Sequence, residues 1–455
     1  MEGLRGNRGR FVIWTVVVLV TLALILIPLS LGHRAGTFNS FLCEGECPSE
    51  FAIPPQDVLE MKPVQQPAIP RVDYPINKEA LEAAVAGPLG DPALGPEVGF
   101  VAADARNGEV LVNRESRTHV PASTTKVLTA WSVLAALGPD HRFETEVRRS
   151  GNTVYLVGGG DPYLVSKRVK RSWNGTSLER LAAETAEKLG SETVNLKFDD
   201  SLFTGPETNP TWSSSLIPSV VEPITALNAR ALPETTRAPS ADAAETFAAA
   251  LEKNGVTVES VAAKKAPKDS ELVTVGKSAP LREVASFMLE ISDNTGAEIL
   301  LRHTAIAKGE DASFKGGVKA VRALLDGAGI PTSNLELSDG SGLSRSNQIS
   351  PVLLVELLTS ALGSDRFAPL VTGLPVAGLN GSLAERFDFT PNARGVVRAK
   401  TGTLTGVSSL AGWANLPDGR TIVFAVMADQ INGYPKGPPQ DAVDHVAAAI
   451  ATCAC

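Results

Sequence analysis

The segment Ser123-Thr124-Thr125-Lys126 sets a hydroxyl and an amine three positions apart. On a helix, residues i and i+3 share a face, so Lys126 would lie one turn along from Ser123. A serine hydroxyl is a poor nucleophile until a base takes its proton. An amine can do so only if it is neutral near pH 7, a state that burial and a nearby second cation both promote. The pair could carry acyl transfer through a serine ester. For the pair taken alone, a helix-capping serine followed by a surface lysine is the commoner reading.

Two further clusters bear on that choice. Lys400-Thr401-Gly402 follows the β-branched run Gly395 to Ala399, so Lys400 would point from a strand as the second cation. Thr401 could offer its hydroxyl to a substrate carboxylate. Gly402 would let a substrate backbone lie against the strand edge, and the Thr403 N–H would face the scissile carbonyl. A strand simply ending in a turn would look the same. Ser-x-Asn occurs at Ser150, Ser172 and Ser292. The third lies between two apolar-periodic runs, Leu281 to Ile291 and Ala297 to Ala307, and so occupies a helix-to-helix connection. There Ser292 could relay a proton to a leaving amine, while Asn294 could hydrogen-bond a substrate amide and Lys126. Ser150 in a polar turn and Ser172 in a basic stretch read as solvated loops.

The elements that must position these groups are legible around them. Ser123 to Leu137 reads as a helix, with Pro121 before it and Gly138-Pro139 after it. Leu410 to Trp413 and Thr421 to Met427 extend the Lys400 strand into an antiparallel meander, and Val98 to Asp104 with Glu109 to Asn113 reads as a hairpin turning at Arg106-Asn107-Gly108. Helices are expected from Lys78 to Val85 and from Ser177 to Leu189. Ala243 to Leu251 reads as helix surface.

In this order the three motifs resemble those of the penicillin-binding proteins, and more narrowly the class C low-molecular-mass D-alanyl-D-alanine carboxypeptidase/endopeptidases. The narrower resemblance rests on Gly158-Gly159-Gly160-Asp161-Pro162, Asp199-Asp200-Ser201-Leu202-Phe203, Asp339-Gly340-Ser341-Gly342-Leu343-Ser344, Leu374-Pro375-Val376-Ala377-Gly378 and Lys400-Thr401-Gly402-Thr403-Leu404. It implies an α/β (α+β) penicillin-binding or serine β-lactamase-like transpeptidase fold, a five-stranded antiparallel sheet flanked by helices. It implies Ser123 as the acylated nucleophile, Lys126 as base, Ser292 and Asn294 as proton relay and amide anchor, and Lys400 and Thr401 as binders of the terminal carboxylate. The oxyanion hole would be the N–H groups of Ser123 and Thr403. The substrate would be the D-Ala-D-Ala end of peptidoglycan stem peptides, with β-lactams as inhibitors, and no cofactor or metal is implied. The stretch between Ser123 and Ser292 is shorter than the two-insert members of that family carry, which leaves one reduced insert at 151–275 within a catalytic domain at 77–150 and 276–455. A β-lactamase or esterase of the same fold, or a non-enzymatic peptidoglycan-binding protein, remains an alternative.

Phe11 to Leu31 is an almost unbroken apolar run preceded by Arg5, Arg8 and Arg10. About 20 residues suffice to span a bilayer, and the arginines place the amino terminus inside. A cleaved signal peptide is the competing reading, but its apolar core usually has about 7–15 residues, so we expect a cytoplasmic tail at 1–10, a single membrane anchor at 11–32 and a proline-rich linker at 33–76, with the catalytic part outside the cell membrane. Cys43 and Cys47 follow the anchor, and Cys453 and Cys455 end the chain. Pairing Cys453 with Cys455 closes a strained loop, so the expectation is a disulfide between the amino-terminal segment and the carboxyl-terminal helix. A net charge of −8 speaks against nucleic acid as a partner. With no His-Glu-x-x-His and no Gly-x-Ser-x-Gly, metallopeptidase and Ser-His-Asp chemistry lack support. No Lys-Ser/Thr pair follows Gly158 to Pro162, so that loop does not read as a nucleotide site.

Overall fold

A computed structural model describes residues 74–115, 117–167, 175–229, 235–433 and 436–455. Its central sheet has the order β2-β1-β10-β9-β8 and is antiparallel throughout. The strands are β1 (Val98–Asp104), β2 (Val110–Arg114), β8 (Val397–Leu404), β9 (Val407–Asn415) and β10 (Thr421–Ala428). The hairpin and the meander of the sequence are thus its two halves, joined where β1 lies along β10 and Val98 pairs with Ala428. Side chains alternate across a strand. Val101, Ala103, Val423 and Ala425 face one core; Phe100, Ala102, Phe424 and Val426 face another. Covering both faces buries the whole of β1 after Val98, which is why β1 and its neighbour β10 are apolar at nearly every position.

Helix α1 (Lys78–Leu89) and the carboxyl-terminal helix (Pro438–Ala451) cover the second face. Helix α2 (Thr125–Leu137) lies in the first core and is buried without interruption from Thr125 to Leu134. A helix apolar all round belongs in an interior.

The second sheet has the order β6-β5-β4-β3-β7. Here β3 (Glu144–Ser150) and β7 (Glu271–Lys277) are antiparallel, while β4 (Thr153–Val157), β5 (Thr193–Asp199) and β6 (Thr257–Ala263) run parallel. Parallel neighbours need a crossover. Helices α3 (Leu178–Leu189) and α4 (Pro239–Lys253) supply it and enclose a separate core with the sheet. The strands span Glu144 to Lys277, starting before and ending after the 151–275 expected for an insert.

Two expectations need correction. Ala243, Ala244, Ala248 and Leu251 are buried rather than on a helix surface, because α4 presses this small-residue stripe onto the sheet beside α3. Cys453 is joined to Cys455, not to the amino-terminal segment: after the last helix the chain turns so that their Cα atoms lie 5.2 Å apart, within disulfide range. Cys43, Cys47 and the apolar run at 11–32 lie outside the described residues. Among the described residues, no helix is long and apolar enough to cross a membrane.

Candidate active site

Ser123 sits in a short 3-10 turn, Ala122–Thr124, that leads into α2, two residues before the α-helix proper. Its approach is pinned from β10. Asp429, just past that strand, accepts hydrogen bonds from the Val120 N–H at 2.9 Å and from Arg117, and contacts His119 Nδ1 at 3.1 Å. Burial raises the Asp429 carboxyl, but these donors outweigh it and hold the group well below the usual range. Ala122 has φ +49°, a conformation that side chains other than glycine avoid. Such strain persists only where surroundings over-determine the backbone.

Lys126 is wholly buried, with Nζ 3.0 Å from Ser123 Oγ. It also donates to Asn294 Oδ1 at 2.7 Å and to the Ser341 carbonyl at 2.7 Å. Burial pushes its pKa down to about 8, against an upward pull from Asp293, Glu298 and Asp339.

Ser292 connects α5 (Leu281–Glu290) to α6 (Asn294–Ala307), and its φ of +58° is the second strained non-glycine position at the site. Asn294 is the first residue of α6 rather than a loop residue. Asp293 caps that helix by accepting from the Gly296 N–H at 3.1 Å. The Asn294 amide donates to the Val220 carbonyl at 2.9 Å, which brings the stretch after β5 over the site. Of the other two Ser-x-Asn sequences, Ser150 ends β3 in the second sheet and Ser172 lies outside the described residues.

Lys400 projects from β8, the edge strand of the central sheet, and donates to Ser292 Oγ at 2.9 Å. It too is fully buried. Burial, and then the charge of Lys126, drive its pKa well below the ordinary lysine value. Thr401 Oγ1 lies 2.8 Å from Ser382 Oγ, a partner that no motif flagged. On the side of β8 away from β9, the Val397 carbonyl and the Ala399 N–H bond to Ala377 and Pro375. Alternation then directs the Thr401 and Thr403 N–H groups to that same open side. The reason for Gly402 differs from the one expected. A Cβ there would meet Ser409 Oγ and come within 2.5 Å of the Pro121 carbonyl, so the glycine seats the nucleophile's turn against β8.

A layer behind these residues had no role assigned from the sequence, although its loop Asp339 to Ser344 was among the strings that carry the resemblance. The Ser341 carbonyl that receives Lys126 belongs to the loop Asp339 to Ser344. Glu298, buried on α6, accepts the Gly340 and Ser341 N–H groups, at 2.7 Å for the latter. Burial, then the Asp339 carboxylate, lifts the Glu298 carboxyl to about 8. Asp339 accepts from Trp212, Gly342, Ser344 and Asn347. Glu298→Ala leaves two buried N–H groups without acceptors, a cost of about 1–3 kcal/mol each. The Ser341 carbonyl then loosens from Lys126. We expect serine acylation to slow roughly 10- to 100-fold, as for the loss of a supporting contact, and stopped-flow acylation would read it. An unchanged rate would show that the loop holds without Glu298.

The chain matches the D-Ala-D-Ala carboxypeptidase 3 (S13) family over residues 81–232 and 225–450. It is 34% identical over 400 residues to carboxypeptidase DacB of Mycolicibacterium smegmatis, covering 83% of this chain and 85% of that one. A carboxypeptidase of Mycobacterium tuberculosis is 33% identical over 447 residues, covering 93% and 92%. Among solved structures, penicillin binding protein 4 (dacB) of Haemophilus influenzae superposes with a TM-score of 0.68 at 22% identity, over 83% of this chain and 98% of that one. At that identity the likeness is one of fold.

Proposed function

The chain belongs to the D-Ala-D-Ala carboxypeptidase 3 (S13) family, and from that premise we propose that this serine-type D-Ala-D-Ala carboxypeptidase works through an ester on Ser123, with the motif residues in the following roles. The observation that carries the reading is the contact between Ser123 Oγ and Lys126 Nζ at 3.0 Å, in a site where Lys400 reaches Ser292 at 2.9 Å.

The terminal carboxylate of a stem peptide binds beside Thr401 and Lys400. A negative charge there favours the protonated form of Lys400. Lys126 serves as the base in its neutral form, which burial favours. Lys126 takes the Ser123 proton as Oγ attacks the carbonyl of the penultimate D-Ala. The N–H groups of Ser123 and Thr403 receive the oxyanion. Asn294 orients the substrate amide, and Gly402 keeps the strand close to the nucleophile's turn. Ser292, bonded to Lys400, passes a proton to the departing D-Ala amine, and the proton that Lys126 took from Ser123 replaces it on Lys400, which leaves Lys126 neutral once more. Water then attacks the ester, Lys126 taking its proton and giving it to Ser123 Oγ as the ester bond breaks. A β-lactam presents the same carboxylate and a strained amide, so it forms the ester and stays; H. influenzae penicillin binding protein 4 has been solved with a β-lactam bound. Cutting of peptide cross-links is a second activity that the same site would support.

Full-length enzyme should release D-alanine from a D-Ala-D-Ala pentapeptide and form a lasting penicillin adduct on Ser123. Rapid loss of penicillin without an adduct would make it a β-lactamase. Neither adduct nor turnover would make it a binding protein.

The same proposal includes a membrane anchor at 11–32, which holds the catalytic part at the wall. Its support is the apolar run after three arginines. Removing residues 1–32 should move the enzyme from the membrane fraction to the aqueous one, and no change in partition would refute the anchor.

A further inference from the structure

Strands β4 and β5 run parallel and end side by side, with Val157 paired to Asp199. Beyond these carboxyl ends lies a cleft of about 950 Å³, between the second sheet and α6. The crevice outside the carboxyl ends of parallel strands is where open α/β sheets take ligands, and a volume of several hundred Å³ suits a small one. The glycine turn after β4 shapes its floor. A Cβ on Gly158 would come within 2.5 Å of the Ala226 carbonyl, and one on Gly159 would collide with the Glu144 carbonyl.

The lining says what kind of ligand fits. Four acidic residues, Asp140, Glu144, Glu146 and Asp199, line it together with three basic ones, Arg142, Lys265 and Lys277. Such a wall repels a phosphate, despite the glycines. It suits a chain that carries both ammonium and carboxylate groups. Lys277 pairs with Glu144 at 2.9 Å, whereas Lys265 is exposed and has no ion pair among the described residues.

The cleft is also joined to the catalytic loop. His303, in its wall, stands nine residues after Asn294 on α6, about 14 Å along the helix. Its Nε2 lies 2.8 Å from the Gly160 carbonyl. Three residues on, Tyr163 packs edge-to-face on Phe287 of α5, and its hydroxyl and the Asp293 carboxylate both border Gly296 at the start of α6. A peptide of four extended residues spans roughly 13 Å.

We propose that this cleft is a second binding site, for a trimmed stem-peptide arm of the wall polymer. The enzyme thereby holds one arm there while Ser123 acts on another. The inference rests on the proposed function for its ligand, and the test separates the two. The probe is a stem tetrapeptide with free amino and carboxylate groups and a diazirine, photolysed with full-length enzyme whose Ser123 has first been blocked with penicillin. Labelling within residues 140–146, 199–202 or around Lys265 should persist after the block and fall about tenfold in Lys265→Glu/Lys277→Glu. Wild-type rates of penicillin acylation would show that this variant is folded; otherwise the exposed Lys265→Glu alone is used, with a loss of severalfold expected. Labelling confined to residues near Ser292 and Thr401 and removed by penicillin would overturn the proposal. So would cleft labelling that the substitutions leave unchanged, or none at all. If penicillin fails to acylate Ser123, the carboxypeptidase mechanism falls by itself, and labelling of the unblocked enzyme still decides the cleft.

Discussion

Ser123→Ala is expected to remove D-alanine release and the covalent penicillin adduct together, with at least about a 10⁴-fold loss of turnover, the scale on which loss of a nucleophile acts. The fold should survive. Lys126 keeps its bonds to Asn294 Oδ1 and the Ser341 carbonyl when the hydroxyl is gone, so no buried charge is stranded. The variant should melt within a few degrees of wild type, and still bind a D-Ala-D-Ala peptide without cleaving it. Intact-protein mass after penicillin treatment checks this directly. An adduct that persists in the variant would place the nucleophile elsewhere.

The second large effect belongs to Lys126. Replacement by methionine keeps the chain's bulk but removes the base, and general-base catalysis is worth about 10²–10⁴-fold. Acylation should slow on that scale while peptide binding persists. Wild-type enzyme should carry the matching pH signature. Lys126 acts only when neutral, and burial holds its pKa at about 8; kcat/KM for acylation should therefore rise as pH climbs through about 8 and level off above it. The methionine variant should lack that rise. If wild type shows no rise through this range, Lys126 is not the group whose deprotonation gates attack. The same displacement affects stability. The folded state releases the lysine proton at lower pH than the unfolded chain does, so the contribution of Lys126 to stability rises with pH between about 8 and the ordinary lysine value.

Much of the architecture could be read from local signals. The turn residues after Asp104, the β-branched run before Lys400 and the proline and glycine that bracket α2 each act over a few positions, and each leaves a mark in the chain. What supports the site leaves none. Glu298 stands in an ordinary helical run, and only the tertiary fold turns it toward two N–H groups of a distant loop. Ser341 contributes a backbone carbonyl, which has no residue-type signature. Ser382 became visible only when its segment lay against Thr401. The cysteine pairing misled because closeness in sequence was weighed without the turn that follows the last helix. The alanines of α4 misled because a small side chain serves a tight helix-to-sheet contact as well as it serves a surface. Strain at Ala122 and Ser292 is likewise a property of the assembled site: neither alanine nor serine favours positive φ.

The pairing of β1 with β10 also governs how the enzyme comes into being. Val98 must wait for Ala428, so the central sheet cannot close until nearly the whole polypeptide has been made. The second sheet asks for no such patience, since its strands and two crossover helices lie within one continuous stretch and enclose their own core. Contacts between distant positions are slow to form. The order of assembly is therefore the reverse of the order of chemistry. The nucleophile's segment is synthesised early, yet Lys400 and the edge strand that carries it arrive among the last residues. A ribosome-bound or carboxyl-terminally clipped chain would hold Ser123 with no partner across the cleft, and reactivity would appear only with the finished molecule.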